Sequence, residues 1–196
     1  MPNAIPVNIN IHSIIPISKI NGPGSRMVVF FQGCDKNCHG CFNPDTHSFQ
    51  TINLYSPDEI LKKYPLNGIE GITISGGEPF MQPYGLRELL KIARKTYGLS
   101  TVVYTGFTYK ELEKKPERRL CLRFIDVLID GRYVASKKET TLLARGSTNQ
   151  RFYFLSSRYS KIDFCMPGKV EVIIGKDGVV TKTGFSKLEF RMNERC

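Results

Sequence analysis

The sequence has no apolar stretch that approaches the roughly 18 uninterrupted residues of a membrane-spanning helix. It also has no internal repeat and no low-complexity segment. Its first residues lack the basic region followed by an apolar segment that marks a secretory signal. These absences argue against a membrane-spanning chain and a repeat architecture, and they predict a cytoplasmic protein with reduced cysteines.

Acidic residues are fewer than basic ones, 18 against 28, which gives a formal net charge of +10. The densest basic part runs from Arg87 to Arg123 and carries ten basic residues against four acidic ones. One interpretation is a set of solvated helix faces. The other is a surface that steers the protein towards an acidic protein or a nucleic acid.

With 196 residues, 41% of them hydrophobic, the chain is long enough for one well-buried core and short for two. We therefore expect a core domain over residues 1–160. Residues 169–174 and 179–183 flank Lys176-Asp177-Gly178, a pattern typical of a β-hairpin. Residues 161–196 are accordingly predicted to form a C-terminal β-hairpin extension packed on the same domain.

Half of the six cysteines lie close together, as Cys34, Cys38 and Cys41. Three thiolates at this spacing, with Gly33 and Gly40 nearby, can converge on one iron–sulfur cluster and leave one iron open to a substrate or cofactor. A structural zinc site with His39 or His47 is an alternative, although zinc sites usually combine two separated ligand pairs. A disulfide is a weaker alternative still, because three clustered cysteines cannot all pair among themselves. The dispersed Cys121, Cys165 and Cys196 are expected to be buried or idle thiols.

Strand and helix signals alternate along the chain. Two capping boxes, at Ser56 to Glu59 and Thr108 to Glu111, predict helix starts. A further helix is indicated by apolar residues at helical spacing between Leu86 and Tyr97. Strands are predicted over residues 7–15, 27–31, 69–75, 101–104, 125–129 and 152–155. The alternation predicts an α/β fold with a parallel sheet, a partial barrel if the sheet curls without closing.

The turn Gly76-Gly77-Glu78-Pro79 ends the predicted strand 69–75. Its glycines permit close approach of a ligand to main-chain groups, and its carboxylate can pair with an ammonium group. Ligands bind at the carboxyl ends of parallel strands, where the cysteine loop is also expected. We therefore interpret the turn as the second half of a site, in which Glu78 matters for ligand binding rather than for folding.

Taken together, these elements resemble the radical S-adenosylmethionine (SAM) superfamily, and within it the anaerobic ribonucleoside-triphosphate reductase activating proteins. The similarity runs from about residue 21 to 151. It rests on Gly22-Pro23-Gly24, the cysteine loop through Cys41-Phe42-Asn43, Ser75-Gly76-Gly77-Glu78-Pro79, Tyr104-Thr105-Gly106, residues 126–131 and residues 145–151. The resemblance implies an open parallel β/α barrel of radical SAM type. It also implies that Cys34, Cys38 and Cys41 ligate a [4Fe-4S] cluster.

The same resemblance implies the contacts with SAM. Gly40 and Phe42 would contact the adenine, and Gly76, Gly77 and Glu78 would hold the methionine part. Thr105 and Asp130, at the ends of the later predicted strands, complete the implied cofactor-binding residues. No catalytic side chain is expected beyond the cluster and the SAM site.

The implied activity is reductive cleavage of SAM to methionine and a 5′-deoxyadenosyl radical. The implied partner is a glycyl radical enzyme such as the anaerobic ribonucleotide reductase, with flavodoxin or ferredoxin as electron donor and without nucleic acid or membrane. Two alternatives stay open on the sequence: a radical SAM enzyme that modifies a peptide, a small molecule or RNA, and a non-catalytic zinc or iron–sulfur binding module.

Overall fold

The computed structural model describes residues 7–140, 143–165, 170–174 and 180–184. Its strands are β1 (Ile9–Ser18), β2 (Arg26–Phe31), β3 (Asn53–Tyr55), β4 (Gly71–Gly76), β5 (Ser100–Thr105), β6 (Val127–Asp130), β7 (Arg151–Phe154), β8 (Val170–Ile174) and β9 (Val180–Gly184). Its α-helices are α1 (Pro57–Lys62), α2 (Pro83–Lys95), α3 (Tyr109–Glu113) and α4 (Pro116–Leu122). The six strands predicted for the core are therefore all present, displaced by no more than a few residues.

Seven strands form one sheet in the order β3-β1-β2-β4-β5-β6-β7. The central strands β2, β4, β5 and β6 run parallel to one another. The outer strands β1, β3 and β7 join antiparallel. Because β3 and β7 are the two ends of this order, the sheet is open, which confirms the predicted α/β fold with a partial parallel barrel.

The direction of β1 follows from a short connection. Residues 19–25 are all that separate β1 from β2, and a parallel pair needs a crossover of about a dozen residues or more. The two strands therefore form an antiparallel pair, and β1 adds to the parallel sheet as a hairpin arm.

Local sequence signals explain where the helices begin. The side chains of Ser56 and Thr108 each accept a hydrogen bond from the backbone N–H three residues on. In turn, the side chains of Glu59 and Glu111 accept from the backbone N–H groups of Ser56 and Thr108. Both predicted capping boxes are thus confirmed. Helix α2 buries one stripe of side chains, namely Leu86, Leu89, Leu90 and Ala93.

The sheet has two different faces. Helices α1, α2 and α4 cover one face, where Leu86, Leu89 and Cys121 pack against β-strand residues such as Ile74 and Leu128. On the other face Val102, Val127 and Ile129 pack against Ala144 and Phe164 from the segment after β6. Residues of β1 and β2, among them Ile14 and Phe30, line a cavity at the carboxyl ends of the parallel strands.

Arg26, the first residue of β2, is fully buried at the end of the sheet opposite the cysteine loop. Its guanidinium donates to Thr73 Oγ1 at 2.8 Å and to the Ile72 carbonyl at 2.8 Å. It also donates to Ser100 and to the Pro23 carbonyl. Since an unpaired buried charge is strongly destabilising, this set of acceptors is what allows Arg26 to lie inside.

The basic run from Arg87 to Arg123 lies on and between α2, α3 and α4. Part of its charge is engaged: Arg94 pairs with Asp126 at 3.3 Å and Lys91 with Glu88 at 3.2 Å. These contacts suit ordinary helix faces. The steering role stays a prediction.

Strands β8 and β9 pair antiparallel, from Val170 opposite Gly184 to Ile174 opposite Val180. The predicted turn residues Lys176-Asp177-Gly178 lie outside the described residues, as do residues 185–196. The division into a 1–160 core and a 161–196 extension stays a prediction. Within the described part of the chain, no helix combines the length and apolarity needed to cross a membrane.

Candidate cofactor site

A cavity of about 490 Å³ opens at the carboxyl ends of the parallel strands. Each strand contributes the residues that follow it: Cys34 after β2, the Ser75–Glu78 stretch at the end of β4, Thr105 and Gly106 at the end of β5, and Gly131 after β6. In parallel α/β sheets this edge is where ligands bind. The cavity therefore brings the cysteine loop and the Glu78 turn to one place.

Cys34, Cys38 and Cys41 all line this cavity. The loop that carries them is tied back at its base, where the Gly33 N–H donates to the Thr46 carbonyl at 2.8 Å and the Cys34 N–H to the His47 carbonyl at 3.1 Å. Gly33 and Gly40 have φ of 99° and 67°, left-handed conformations that glycine adopts without strain.

Backbone N–H groups point at two of the sulfurs. The Lys36 N–H lies 3.4 Å from Cys34 Sγ, and the Asn43 N–H lies 3.4 Å from Cys41 Sγ. Burial raises the pKa of the Cys34 thiol to about 11 and also raises that of Cys41. Such thiols ionise when a metal binds them, and N–H groups directed at sulfur stabilise the resulting thiolates.

These residues fit an iron–sulfur cluster. Three thiols line one cavity, and thiolate is the ligand that such clusters use. No three His, Cys, Asp or Glu side chains in the described ranges are grouped closely enough to hold a single metal ion. Of the two histidines considered for zinc, His39 is exposed outside the cavity lining and His47 is part of the lining. A four-iron cluster is several atoms across, so its thiolates stand farther apart than the ligands of one ion.

The Glu78 turn is docked on the cysteine loop. The Gly77 N–H donates to the Phe31 carbonyl and the Glu78 N–H to the Gly33 carbonyl, each at 2.8 Å. A Cβ on Gly76 would lie 2.6 Å from the Phe31 backbone, and one on Gly77 would collide with the Gly33 carbonyl. Both glycines are therefore required by the close approach of two backbones.

The carboxylate of Glu78 is buried, with 1% of the residue exposed. Oε1 accepts from the Phe80 N–H at 3.0 Å and from Thr105 Oγ1 at 2.8 Å, and Oε2 accepts from the Gly106 N–H at 2.7 Å. Burial raises the pKa of this carboxyl. A carboxylate has about four acceptor positions, so three internal bonds leave capacity for one donor from a ligand.

An aromatic pair forms another wall. Phe42 and Tyr133 both line the cavity, with ring centroids 4.8 Å apart. Gly146, which also lines the cavity, passes close to both rings, since a Cβ there would lie 3.0 Å from Phe42 and 3.1 Å from Tyr133. The Gln150 side chain accepts from the Gly146 N–H at 2.8 Å and donates to the Gly131 carbonyl at 2.9 Å. The loop 146–150 is thus fastened to the end of β6.

Gly40 and Asp130 are not among the residues that line the cavity in the described part of the chain. A Cβ on Gly40 would lie 3.4 Å from the Ala135 Cβ, so this glycine borders the segment behind Tyr133. The Asp130 carboxylate accepts from Arg151 at 3.0 and 2.9 Å and from the Tyr109 N–H at 2.6 Å.

The expected contact of Asp130 with SAM is therefore not supported. Side chains alternate along β6: Val127 and Ile129 face the Phe164 side, whereas Leu128 faces the helices. Asp130 falls on the helix side, where it meets Tyr109 at the start of α3. Its hydrogen bonds connect the end of β6 to α3 and β7. Gly131, the next residue, is the one that lines the cavity.

Sequence reasoning overlooked several lining residues. Lys36 and Tyr133 both line the cavity, and so does His12, whose Nδ1 lies 3.1 Å from Gln32 Oε1. Lys36 lies between Cys34 and Cys38, so the sequence could have indicated that it lies near the cavity. Tyr133 follows the predicted strand end Asp130-Gly131, which gave a weaker signal.

The dispersed cysteines differ from those of the loop. Cys121 is buried, with its thiol 3.3 Å from the Pro83 carbonyl, and Cys165 is exposed. Cys196 lies outside the described residues. The expectation of a buried or idle thiol therefore holds for Cys121, and Cys165 is a surface thiol.

Alkylation should separate these two thiols. Burial raises the pKa of Cys121 to about 12, so at pH 8 only about one molecule in ten thousand carries its thiolate. Iodoacetamide should label Cys165 in the native protein and Cys121 only after unfolding, as measured by peptide mass spectrometry. Equal labelling rates of both residues in the native protein would contradict the buried position of Cys121.

Comparison with known proteins identifies the family. A family model described as a 4Fe-4S single cluster domain matches residues 20–153. The anaerobic ribonucleoside-triphosphate reductase-activating protein of Haemophilus influenzae is 34% identical over 146 residues, covering 69% of this chain and 91% of the relative. The proteins of the same name from Vibrio cholerae and Escherichia coli K12 are each 33% identical, covering 72% and 74% of this chain and 95% and 99% of theirs.

One solved structure, that of QueE from Escherichia coli, is similar with a TM-score of 0.44 and 16% identity, over 52% of this chain and 54% of that one. The relatives, in contrast, match this chain over nearly their whole length, and the matched region contains the cysteine loop, the Glu78 turn and the loop 146–150. The chain therefore belongs to the anaerobic ribonucleoside-triphosphate reductase-activating protein family, radical SAM enzymes that use a [4Fe-4S] cluster and S-adenosylmethionine.

Proposed function

We propose that this protein activates an anaerobic ribonucleotide reductase by generating a glycyl radical on it. The observation that carries the proposal is the convergence of three thiols and the Glu78 turn on one cavity, in a chain whose relatives bear the name of that activity. When bound, the reduced cluster supplies the electron that splits SAM into methionine and a 5′-deoxyadenosyl radical.

Within this proposal, Cys34, Cys38 and Cys41 ligate the cluster. Their loop is held in place by the Gly33 and Cys34 N–H bonds to residues 46 and 47, which supports a site formed before the cluster enters. The N–H groups of Lys36 and Asn43 direct partial positive charge at two sulfurs and so favour the added electron.

The remaining site residues bind and orient SAM. Glu78 takes the ammonium of the methionine part, and Thr105 holds the Glu78 carboxylate in position through its hydroxyl. Gly76 and Gly77 offer backbone groups where no side chain fits. The Phe42 and Tyr133 rings provide an apolar wall for the adenine and exclude water from the radical.

The partner supplies the rest of the enclosure. Its backbone glycine has to reach the cavity, so the open rim beside β1, lined by residues such as Ser13 and Ile14, is a suitable entry. A small one-electron carrier such as flavodoxin or ferredoxin would provide the electron, and a cytoplasmic location stays a prediction.

Electron paramagnetic resonance tests the proposal. Anaerobically reconstituted protein, mixed with SAM, reductant and the reductase encoded in the same organism, should produce a glycyl doublet on the reductase. Deoxyadenosine formation without that doublet would shift the assignment to a radical SAM enzyme with a peptide, small-molecule or RNA substrate. Zinc without acid-labile sulfide in the purified protein would overturn the enzyme assignment altogether.

A further inference from the structure

His12 lies at an irregular position of strand β1. Ile11 of β1 pairs with Phe31 of β2. The next pair joins Ser13 to Phe30, so two steps along β1 correspond to one step along β2. His12 is therefore the additional residue of a β-bulge. Bulges redirect the side chain that they carry and are frequent beside active sites, and here the bulged residue lines the cavity.

The hydrogen bonds around His12 determine its tautomer. The buried side-chain amide of Gln32 donates from Nε2 to the Ser48 carbonyl at 2.6 Å, which leaves Oε1 as the acceptor that faces His12 Nδ1 at 3.1 Å. In a neutral imidazole the nitrogen that meets an acceptor carries the proton, so Nε2 is itself an acceptor. Nε2 has no hydrogen-bond partner in the described part of the chain. His12 thus offers an acceptor to a ligand.

The cavity wall around His12 is largely apolar. It consists of Ile14, Ile15, Pro16 and Phe30. The residues that we assign to the methionine part of SAM follow β4 and β5, and β2 lies between those strands and β1. An apolar wall with one hydrogen-bonding group fixes the orientation of what it binds. It suits a main-chain segment without a charged side chain, and a glycine is such a segment.

We propose that His12 Nε2 accepts the backbone N–H of the partner's glycine and so positions its Cα for hydrogen abstraction. This inference rests on the proposed function, in which that glycine enters beside β1. A hydrogen atom passes from the glycine Cα to the 5′ carbon of the deoxyadenosyl radical, which becomes 5′-deoxyadenosine, and the unpaired electron stays on Cα. His12 keeps its proton and supplies only the orientation that such a transfer requires.

Two substitutions separate the two ring nitrogens of His12. An asparagine amide reaches the place of Nδ1, so His12→Asn keeps the bond to Gln32 and removes the acceptor. A glutamine amide reaches the place of Nε2, so His12→Gln does the reverse. Titration calorimetry with SAM and without reductant measures how tightly the cluster-loaded protein binds the reductase. His12→Asn should weaken this binding about 3- to 10-fold, the range for a neutral hydrogen bond, and His12→Gln should stay within about twofold of wild type.

The same order should appear in the reaction. The number of glycyl radicals per SAM cleaved, from electron paramagnetic resonance and chromatography of deoxyadenosine, should fall in His12→Asn and be retained in His12→Gln. If His12 only fastens Gln32 to β1, the order of the two variants is reversed, which overturns the inference. Equal effects of both substitutions also overturn it, and so does a raised dissociation constant for SAM in His12→Asn.

Failure of this inference is distinguishable from failure of the proposed function. Wild-type protein that cleaves SAM without a glycyl doublet contradicts the proposed function itself. Because His12→Asn keeps the bond to Gln32, its iron and acid-labile sulfide should match wild type, and their loss overturns the inference. If His12→Gln does not take up the cluster, the reductase decides. The binding loss in His12→Asn should disappear with a reductase whose glycine is replaced by proline, which has no N–H, and a loss that persists overturns the inference.

Discussion

Replacing Cys38 with alanine should reduce deoxyadenosine formation to the background of cluster-free protein. Cys38 lines the cavity together with the two other thiols of its loop, and a cluster with one open iron has no protein ligand to spare. The loss should appear as missing iron, missing acid-labile sulfide and missing visible absorbance as well as missing product, measured after anaerobic reconstitution with SAM and dithionite.

Cys165→Ala is the matched control, because Cys165 is an exposed thiol outside the cavity lining of the described residues. It should retain full iron content and full deoxyadenosine formation. A Cys38→Ala protein that still assembles the cluster and cleaves SAM would refute the assignment of the three ligands. A comparable loss in Cys165→Ala would implicate a ligand from outside the loop.

Replacing Glu78 with alanine should destabilise the fold as well as weaken SAM binding. The change leaves three donors without their acceptor, namely the N–H groups of Phe80 and Gly106 and the hydroxyl of Thr105. Each unsatisfied buried donor costs about 1–3 kcal/mol, so several kcal/mol of the roughly 5–15 kcal/mol that stabilise a typical domain should be lost.

Glu78→Gln should cost less, about 1–3 kcal/mol. Both carboxylate oxygens accept hydrogen bonds, so the amide NH₂ of glutamine would face at least one donor. Urea unfolding of the cluster-free protein measures this effect apart from SAM, with the exposed Glu113→Ala as control, expected within about 0.5 kcal/mol of wild type. An unfolding midpoint unchanged in Glu78→Ala would show that the three bonds contribute nothing to stability.

The expectation that Glu78 serves ligand binding rather than folding is therefore incomplete. The sequence indicated the turn, because two backbones that approach closely require glycine, and glycine can be recognised in a sequence. The donors to Glu78 come from Phe80, directly after the turn, and from Thr105 and Gly106 at the end of another strand. Such long-range bonds have no local pattern in a sequence.

The difference between local patterns and long-range contacts also explains which parts of the fold the sequence predicted. The central strands and both capping boxes depend on local composition and were found. Strand β3 was missed, because Asn53–Tyr55 is three residues long and its Leu54 is exposed. The face of Asp130 could not be decided either, since alternation along Val127–Asp130 shows two faces without showing which one the helices cover.

The buried Arg26 has a consequence for the cavity at the other end of the sheet. Its bonds to the Ile72 carbonyl and Thr73 are possible only when Arg26 stands opposite Gly71. Sliding β4 along β2 by one residue would break them and would also move Gly77 away from the Phe31 carbonyl. A guanidinium at the opposite end of the sheet thus favours the same alignment of the two loops that meet there, together with the six paired positions of β2 and β4, so substitutions at Arg26 should destabilise the site without touching it.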